Sequence, residues 1–370
     1  MTYEIGKLPL EALLPAIARA EDQMARLDEA VRRSPVGEGF IERGHFFDSA
    51  ASMWVSGELV HIEDLVLHDA HMDVRVPTHE LTIAYSLLRT RRRVAAAEPA
   101  WALSDRGLFA SSVPPLAEQP ADEPEVGHSA EEVDLAEDAD PLAAEFAQID
   151  ALLERSERLI ISMGRGDGAA VPERRGLVVG DLMIRDPEWD EADRLSQWRS
   201  IQEEVQGLPP VLGAALLFDA WEVLEPVQRQ QGLGGVVTAA YLRFRGKVTS
   251  HLPAFNLGLK AVGREKRRAR DRSIRLVAFL DAMSATADCG LRELVRLQQS
   301  RKLMERKLTG RRGSSSLPAV VDLVLSRPVV SAAMVSSAAK ITQRGALNLI
   351  ADLGVREMTG RGRYRAWGII

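Results

Sequence analysis

Near the C-terminal end, Gln343, Arg344 and Asn348 stand at positions one and four residues apart, and their side chains are of the types that read nucleobase edges. Arginine pairs through two hydrogen bonds with guanine, and asparagine or glutamine pairs through two with adenine. Thr342, just before them, has a hydroxyl suited to cap a helix start and joins the same candidate group. Arg361, Arg363 and Arg365 follow, placed to neutralise phosphates. These seven residues are the candidates for contact with double-stranded DNA, three of them for its bases.

Such side chains work only when held by a defined frame, and the flanking residues predict one. Val320, Val321, Leu323, Val324 and Leu325 predict a first helix that Arg327 and Pro328 end. Ser331 starts a second helix over Ala332 to Ala339, whose small residues allow close packing. Lys340 and Ile341 make a short turn, and Thr342 opens a third helix through Ala346, Leu349, Ile350 and Leu353, stopped by Gly354. Val355 to Trp367 predicts a hairpin turning at Thr359 to Gly362. This order resembles winged helix-turn-helix domains. The resemblance implies that the third helix enters the major groove, and domains of this kind usually work as a homodimer on two half-sites. Such domains also dock proteins, so an interaction adaptor is a second reading.

The charge distribution points the same way. The formal net charge is −6, yet Arg243 to Arg365 holds about +17 and the remainder about −23. That asymmetry predicts a polyanionic partner. The run Arg264 to Arg275 and the stripe Arg301, Lys302, Arg306, Lys307, Arg311 and Arg312 are expected to supply nonspecific phosphate contacts. No Phe or Tyr is interleaved in the run, which disfavours single-strand stacking.

Upstream, the fold class is mainly α. Apolar steps of three and four residues predict helices over Leu8 to Val31, Phe46 to Val74 with a break at Gly57, and from Thr78 toward Arg93. Further helices are predicted over Leu142 to Met163, Trp189 to Val205, Pro210 to Val227, Leu233 to Arg245, Ser273 to Ala287 and Leu291 to Leu308. A loop and a short strand-like piece lie between residues 164 and 184. Residues 113–141 are rich in proline and acid and lack any Lys or Arg, so they read as a disordered acidic linker that can fold back on the basic stripe. The expected organisation is an N-terminal helical part (1–112), the linker (113–141), a helical core with its basic connector (142–312) and the terminal module (313–370).

Within that core, Leu208 to Ala215 followed by Trp221 to Val227 resembles the helix leading into the active loop of Fic domains, and Ala51 to Glu58 resembles their inhibitory motif. The resemblance implies a Fic-like helical bundle. Its family transfers AMP with a loop reading His-Pro-Phe, any residue, Asp or Glu, Gly-Asn, any residue, Arg. Here the loop falls on Glu225 to Leu233, where Glu225 replaces the base, Arg229 the metal-holding acid and Leu233 the phosphate-binding Arg, and only Pro226 survives. Ser56 replaces the inhibitory glutamate. The expectation is a scaffold without transferase activity and without a cofactor; an atypical nucleotidyltransferase is the alternative. The chain also resembles a family of α-proteobacterial proteins that join a helix-turn-helix to a domain of unknown function.

Other groups exclude more than they suggest. Cys289 is the single cysteine, so no internal disulfide or cysteine metal set exists, and a cytoplasmic location is expected. The start has no secretory pattern and no long apolar run suggests a membrane span. His68 and His71 with Asp69 or Asp73 fit no defined metal spacing and read as surface or hydrogen-bonded histidines. Gly232, Gly234 and Gly235 lack the strand and lysine of a phosphate cradle and read as helix packing.

Overall fold

A computed structural model describes residues 3–73, 76–104, 106–108, 189–228, 232–308, 317–359 and 365–369. The expected acidic linker, the helix over 142–163, the loop and strand piece at 164–184, and Arg229, Arg361 and Arg363 lie outside them. One compact unit joins Met1–Leu116 to Asp186–Ile370 and holds every described residue. It is mostly helical.

Helix α1 (Leu10–Arg32) buries Leu13, Ile17, Ala20, Met24, Leu27 and Val31, the face its sequence period marks. Helix α2 spans Gly37–Ser56 and stops at Gly57 in the left-handed region. It begins nine residues before the expected start. The reason lies in Gly37, Gly39 and Gly44, which dilute the helical signal; Gly39 also allows a close neighbour, since a Cβ on it would come within 3.0 Å of the Leu325 carbonyl oxygen. Helix α3 covers Ile62–Asp69, and α4 covers His79–Ala96, capped by Thr78, whose Oγ1 accepts from Leu81 N at 3.3 Å.

After α5 (Glu191–Glu204), helix α6 (Pro210–Leu224) starts with proline in its first turn and is buried from Val211 through Trp221. A helix that is apolar all round belongs in the centre of a bundle. Its neighbours are α1, α5, α7 (Leu233–Phe244) and α10 (Arg272–Leu308). Short helices α8 (Phe255–Lys260) and α9 (Arg264–Arg267) lead into α10. Two helices were expected where α10 runs unbroken for 37 residues, about 55 Å at the usual rise. Gly290, between the two expected stretches, stays helical because its missing side chain admits Leu27 and Phe40; a Cβ there would lie 2.8 Å from Leu27 Cδ2.

Buried charges lock these helices together. Arg91 of α4 and Asp48 of α2 are fully buried 2.5 Å apart. Arg91 also donates to the Leu252 and Pro253 carbonyls, and Asp48 accepts from Asn256 Nδ2 and Leu257 N, so both Asp48 oxygens and both terminal Arg91 nitrogens have partners, while Arg91 Nε has none among the described residues. Asp219 of α6 accepts from Arg275 at 2.6 Å and from Tyr3 Oη at 2.8 Å. No helix of the described residues is long and apolar enough to cross a membrane.

The C-terminal part comprises α11 (Leu317–Ser326), β1 (Val330–Ser331), α12 (Ala332–Ala339), α13 (Gln343–Leu353), β2 (Arg356–Glu357) and β3 (Ala366–Gly368). The strands form an antiparallel sheet in the order β1-β3-β2, with Val330 opposite Trp367 and Glu357 opposite Trp367 on the other side. This part packs on the bundle through α11 against α2, and through an apolar cluster joining Phe46, Met53, Leu65 and Leu88 to Val329, Met334 and Ala366.

Candidate nucleic-acid interface

The candidate helix α13 is fixed at both ends by its own sequence. Thr342 Oγ1 accepts from Gly345 N at 3.2 Å, satisfying one orphan donor of the first turn. Gly354 ends the helix at φ +67°, where a side chain would be strained and would also strike Lys307 Nζ. Lys307, from the basic stripe, donates to the Leu353 carbonyl at 3.2 Å and so tethers the helix end to α10. Before α13, Ser331 Oγ caps α12 by accepting from Met334 N, and Lys340 makes the turn at φ +53°. Ile341 N donates to Ser336 O at 3.1 Å, closing that turn.

Ala346, Ile350 and Leu353 are buried, which leaves Gln343, Arg344, Leu347, Asn348 and Ala351 on the exposed side. Gln343, Arg344 and Asn348 make no side-chain hydrogen bond or ion pair to another described residue. A helix face of this composition is free to pair with an external donor and acceptor pattern. Thr342 is exposed but its hydroxyl serves the helix start, so its first duty is structural.

In the sheet, Met358 N donates to Ala366 O at 2.8 Å, and Ala366 N donates to Thr359 Oγ1 at 3.0 Å. Arg365 lies over the Trp367 ring, 5.3 Å from its centre, and donates Nε to Glu357 at 2.9 Å. This hydrogen bond holds the Glu357 carboxyl below its ordinary range and raises Arg365 above its own. Arg365 is therefore positioned by its neighbours while half of it stays exposed. Arg356 and Lys340 add exposed cations near the helix that the sequence reading left out; their signal was only their place beside it.

The basic stripe is less available than its charge suggests. Arg272 and Arg275 bind Asp219, Lys247 pairs with Glu21, Arg301 with Glu305, and Arg327 with Glu42 and Asp69. Of the expected phosphate contacts, Arg272 and Arg275 thus work inside the protein against Asp219, and Arg301 is paired along its own helix; Lys247 and Arg327 lie outside that set. Arg264, Lys266, Arg268 and Arg270 remain exposed.

Elsewhere, His68 Nδ1 lies 2.9 Å from both Asp73 oxygens, with its ring edge against Tyr85. Gly232, Gly234 and Gly235 sit against Ser52, Trp221 and Asn256, where helices approach closely. Glu225 caps α6 in the left-handed region at φ +43°, and Ser56 Oγ donates to Ser52 O.

Comparison with known proteins bears on this interface directly. Residues 317–370 match the family described as HTH DNA binding domain, and residues 183–309 match one described as protein of unknown function, DUF1612. The whole chain is 45% identical over 386 aligned positions to the uncharacterized protein y4cF of Sinorhizobium fredii, spanning 100% of both chains. The chain belongs to the y4cF family. In this member of the family, a DUF1612 segment ending with α10 is followed by a helix-turn-helix DNA-binding domain formed by α11 to β3.

Proposed function

We propose that this member of the y4cF family is a cytoplasmic transcriptional regulator that binds duplex DNA as a homodimer through a winged helix-turn-helix. The reading rests on one observation: the capped helix α13 presents Gln343, Arg344 and Asn348 outward, unengaged by any other described residue. Helix α13 lies in the major groove, and the hairpin between β2 and β3, with Arg361, Arg363 and Arg365, follows the phosphates. The sheet order β1-β3-β2 supports the wing. A mobility shift with genomic fragments at low salt tests the reading, and the expected result is a retarded complex whose affinity falls steeply as salt rises. No complex at any fragment would overturn it, and sedimentation of that complex measures the dimer.

The bundle serves as a Fic-like scaffold without catalysis. Its support is chemical: Glu225 stands where the loop needs a histidine base, and it is held in a helix cap. Incubation with labelled ATP, CTP, UTP or GTP and a divalent metal is expected to leave all protein unlabelled; any transferred label reinstates the enzyme.

A further inference from the structure

A cavity of about 410 Å³ opens between α1, α2, α8, α10 and the loop before α8. Its walls are apolar, with Leu27, Phe40, Ile41, Phe47 and Leu257. Gly44 creates the space, because a Cβ placed on it would meet nothing within 4 Å. That volume and lining suit a small organic molecule.

The polar residues at its edge define what such a molecule must carry. Ser250 Oγ has one proton, and the short 2.6 Å contact to the Asp28 carboxylate takes it. Ser250 Oγ therefore accepts from His251 Nδ1 at 3.0 Å. Burial pushes the His251 imidazole down to about 4, so the ring is neutral and its Nε2 carries a lone pair. Nε2 is buried, with no hydrogen-bond partner among the described residues and no room beside it for a donor, so His251 adds a neutral ring to the walls. At the rim, Arg292 is exposed and hydrogen-bonds to Cys289 Sγ at 3.2 Å, with no carboxylate partner among the described residues.

We propose that this cavity binds a small aromatic acid, with its carboxylate at Arg292, and that occupancy is felt by the DNA-binding domain. Transmission follows the rim. Glu293 accepts from Arg43 at 2.8 Å and pairs with Arg296 at 2.5 Å. Arg43 donates to the Arg327 carbonyl after α11, and Arg296 donates to the Ile369 carbonyl after β3 at 3.1 Å. A carboxylate arriving beside Arg292 competes with Glu293 for Arg296 and alters its grip on the terminal strand. The site stands independently; only its regulatory role rests on the DNA-binding reading.

Calorimetric titration of the full chain with indole-3-carboxylate and 2-anilinobenzoate tests the site. At least one acid is expected to bind, and Gly44→Leu, which fills the cavity, and Arg292→Gln are each expected to weaken it about tenfold or more, the effect of one lost charge-assisted contact. An unchanged or raised Tm certifies that Gly44→Leu folds. The bound acid should also slow alkylation of Cys289, the only thiol. Binding of neither acid to the native chain overturns the site, as does equal affinity in Gly44→Leu. On a fragment the chain retards, saturating acid should shift DNA affinity about fivefold or more, a common size of allosteric coupling; no shift overturns the transmission. Should no fragment be retarded, the DNA-binding reading fails while the calorimetry still decides the site.

Discussion

Replacing Arg344 or Asn348 with alanine removes side chains that support nothing else in the described residues, so the loss should appear in DNA affinity and not in stability. Each change is expected to cost about 1–3 kcal/mol at its preferred base and to relax specificity there. Competition with single-base variants of the bound site measures it; an equal loss on every sequence would make these residues phosphate contacts instead. Two histidines make a different residue-scale prediction. Burial, with Arg91 and Arg243 opposing a pull from Asp28, brings His251 down to about 4, and burial beside Arg91 and Arg92 places His45 well below its ordinary value. Unfolded, both regain an ordinary value near 6.5. Between those values the unfolded chain binds protons that the folded chain refuses, so their contribution is full above 6.5 and falls as pH drops toward 4. For His251 alone the loss approaches about 3 kcal/mol. Urea midpoints at pH 7 and pH 5 report it, and His251→Gln should flatten the slope by about one proton; an unaltered slope would refute the assignment.

At the scale of elements, the helices with polar caps and an even apolar period were legible from the sequence: Thr78, Ser331 and Thr342 mark their starts, and Gly57 and Gly354 mark stops. Glycine in the middle of a helix obscures it in the sequence, because propensity says nothing of what lies opposite. Gly290 keeps α10 continuous by admitting α1 and α2, and Gly37, Gly39 and Gly44 conceal the first turns of α2. Charge was legible as a sum but not as pairs, since Arg272, Arg275 and Arg327 find carboxylates more than fifty residues away. The outward face of α13 could be read, because it needs only local period and caps; the cavity could not, because its walls come from four separate helices. The same logic separates two substitutions of one chemical kind. A Cβ on Gly258 of α8 would lie 2.0 Å from the Ala282 carbonyl of α10, a backbone atom that cannot turn aside, while the Cβ on Gly44 enters open space. Gly258→Ala should therefore destabilise by about 1–3 kcal/mol through overpacking, and Gly44→Ala should stabilise by about 0.5–1 kcal/mol through helix propensity. Opposite shifts of the urea midpoint are expected; shifts of the same sign would show that packing does not distinguish the two sites.

For the molecule as a whole, the decisive question is whether the DNA-binding domain hangs from the bundle or is part of it. Arg327, which ends α11, pairs with Glu42 of α2 and reaches Asp69 of α3 at 3.7 Å, with its guanidinium 5.0 Å from the centre of the Phe46 ring. Arg92 of α4 approaches the same ring at 5.1 Å and binds the same two acids. Ser331 Oγ reaches Met72 Sδ at 3.5 Å, and Val329, Met334 and Ala366 share an apolar cluster with Phe46. Apolar burial on that scale, with Arg43 and Arg296 holding the two ends, ties local opening of α11 to β3 to the bundle's own stability. Amide exchange should accordingly find α11 and α12 protected to a degree close to that of α2. Arg327→Ala removes the shared anchor, yet leaves Glu42 and Asp69 paired with Arg92, so the bundle itself keeps its charges satisfied. The expected result is exchange accelerated about tenfold, or about 1.4 kcal/mol, in peptides from α11 to β3, with α6 and α7 unchanged. Uniform acceleration would mean that Arg327 supports the entire bundle, and no acceleration would mean that the apolar cluster alone holds the domain; either would remove the guanidinium from its place as the joint between DNA-binding domain and body.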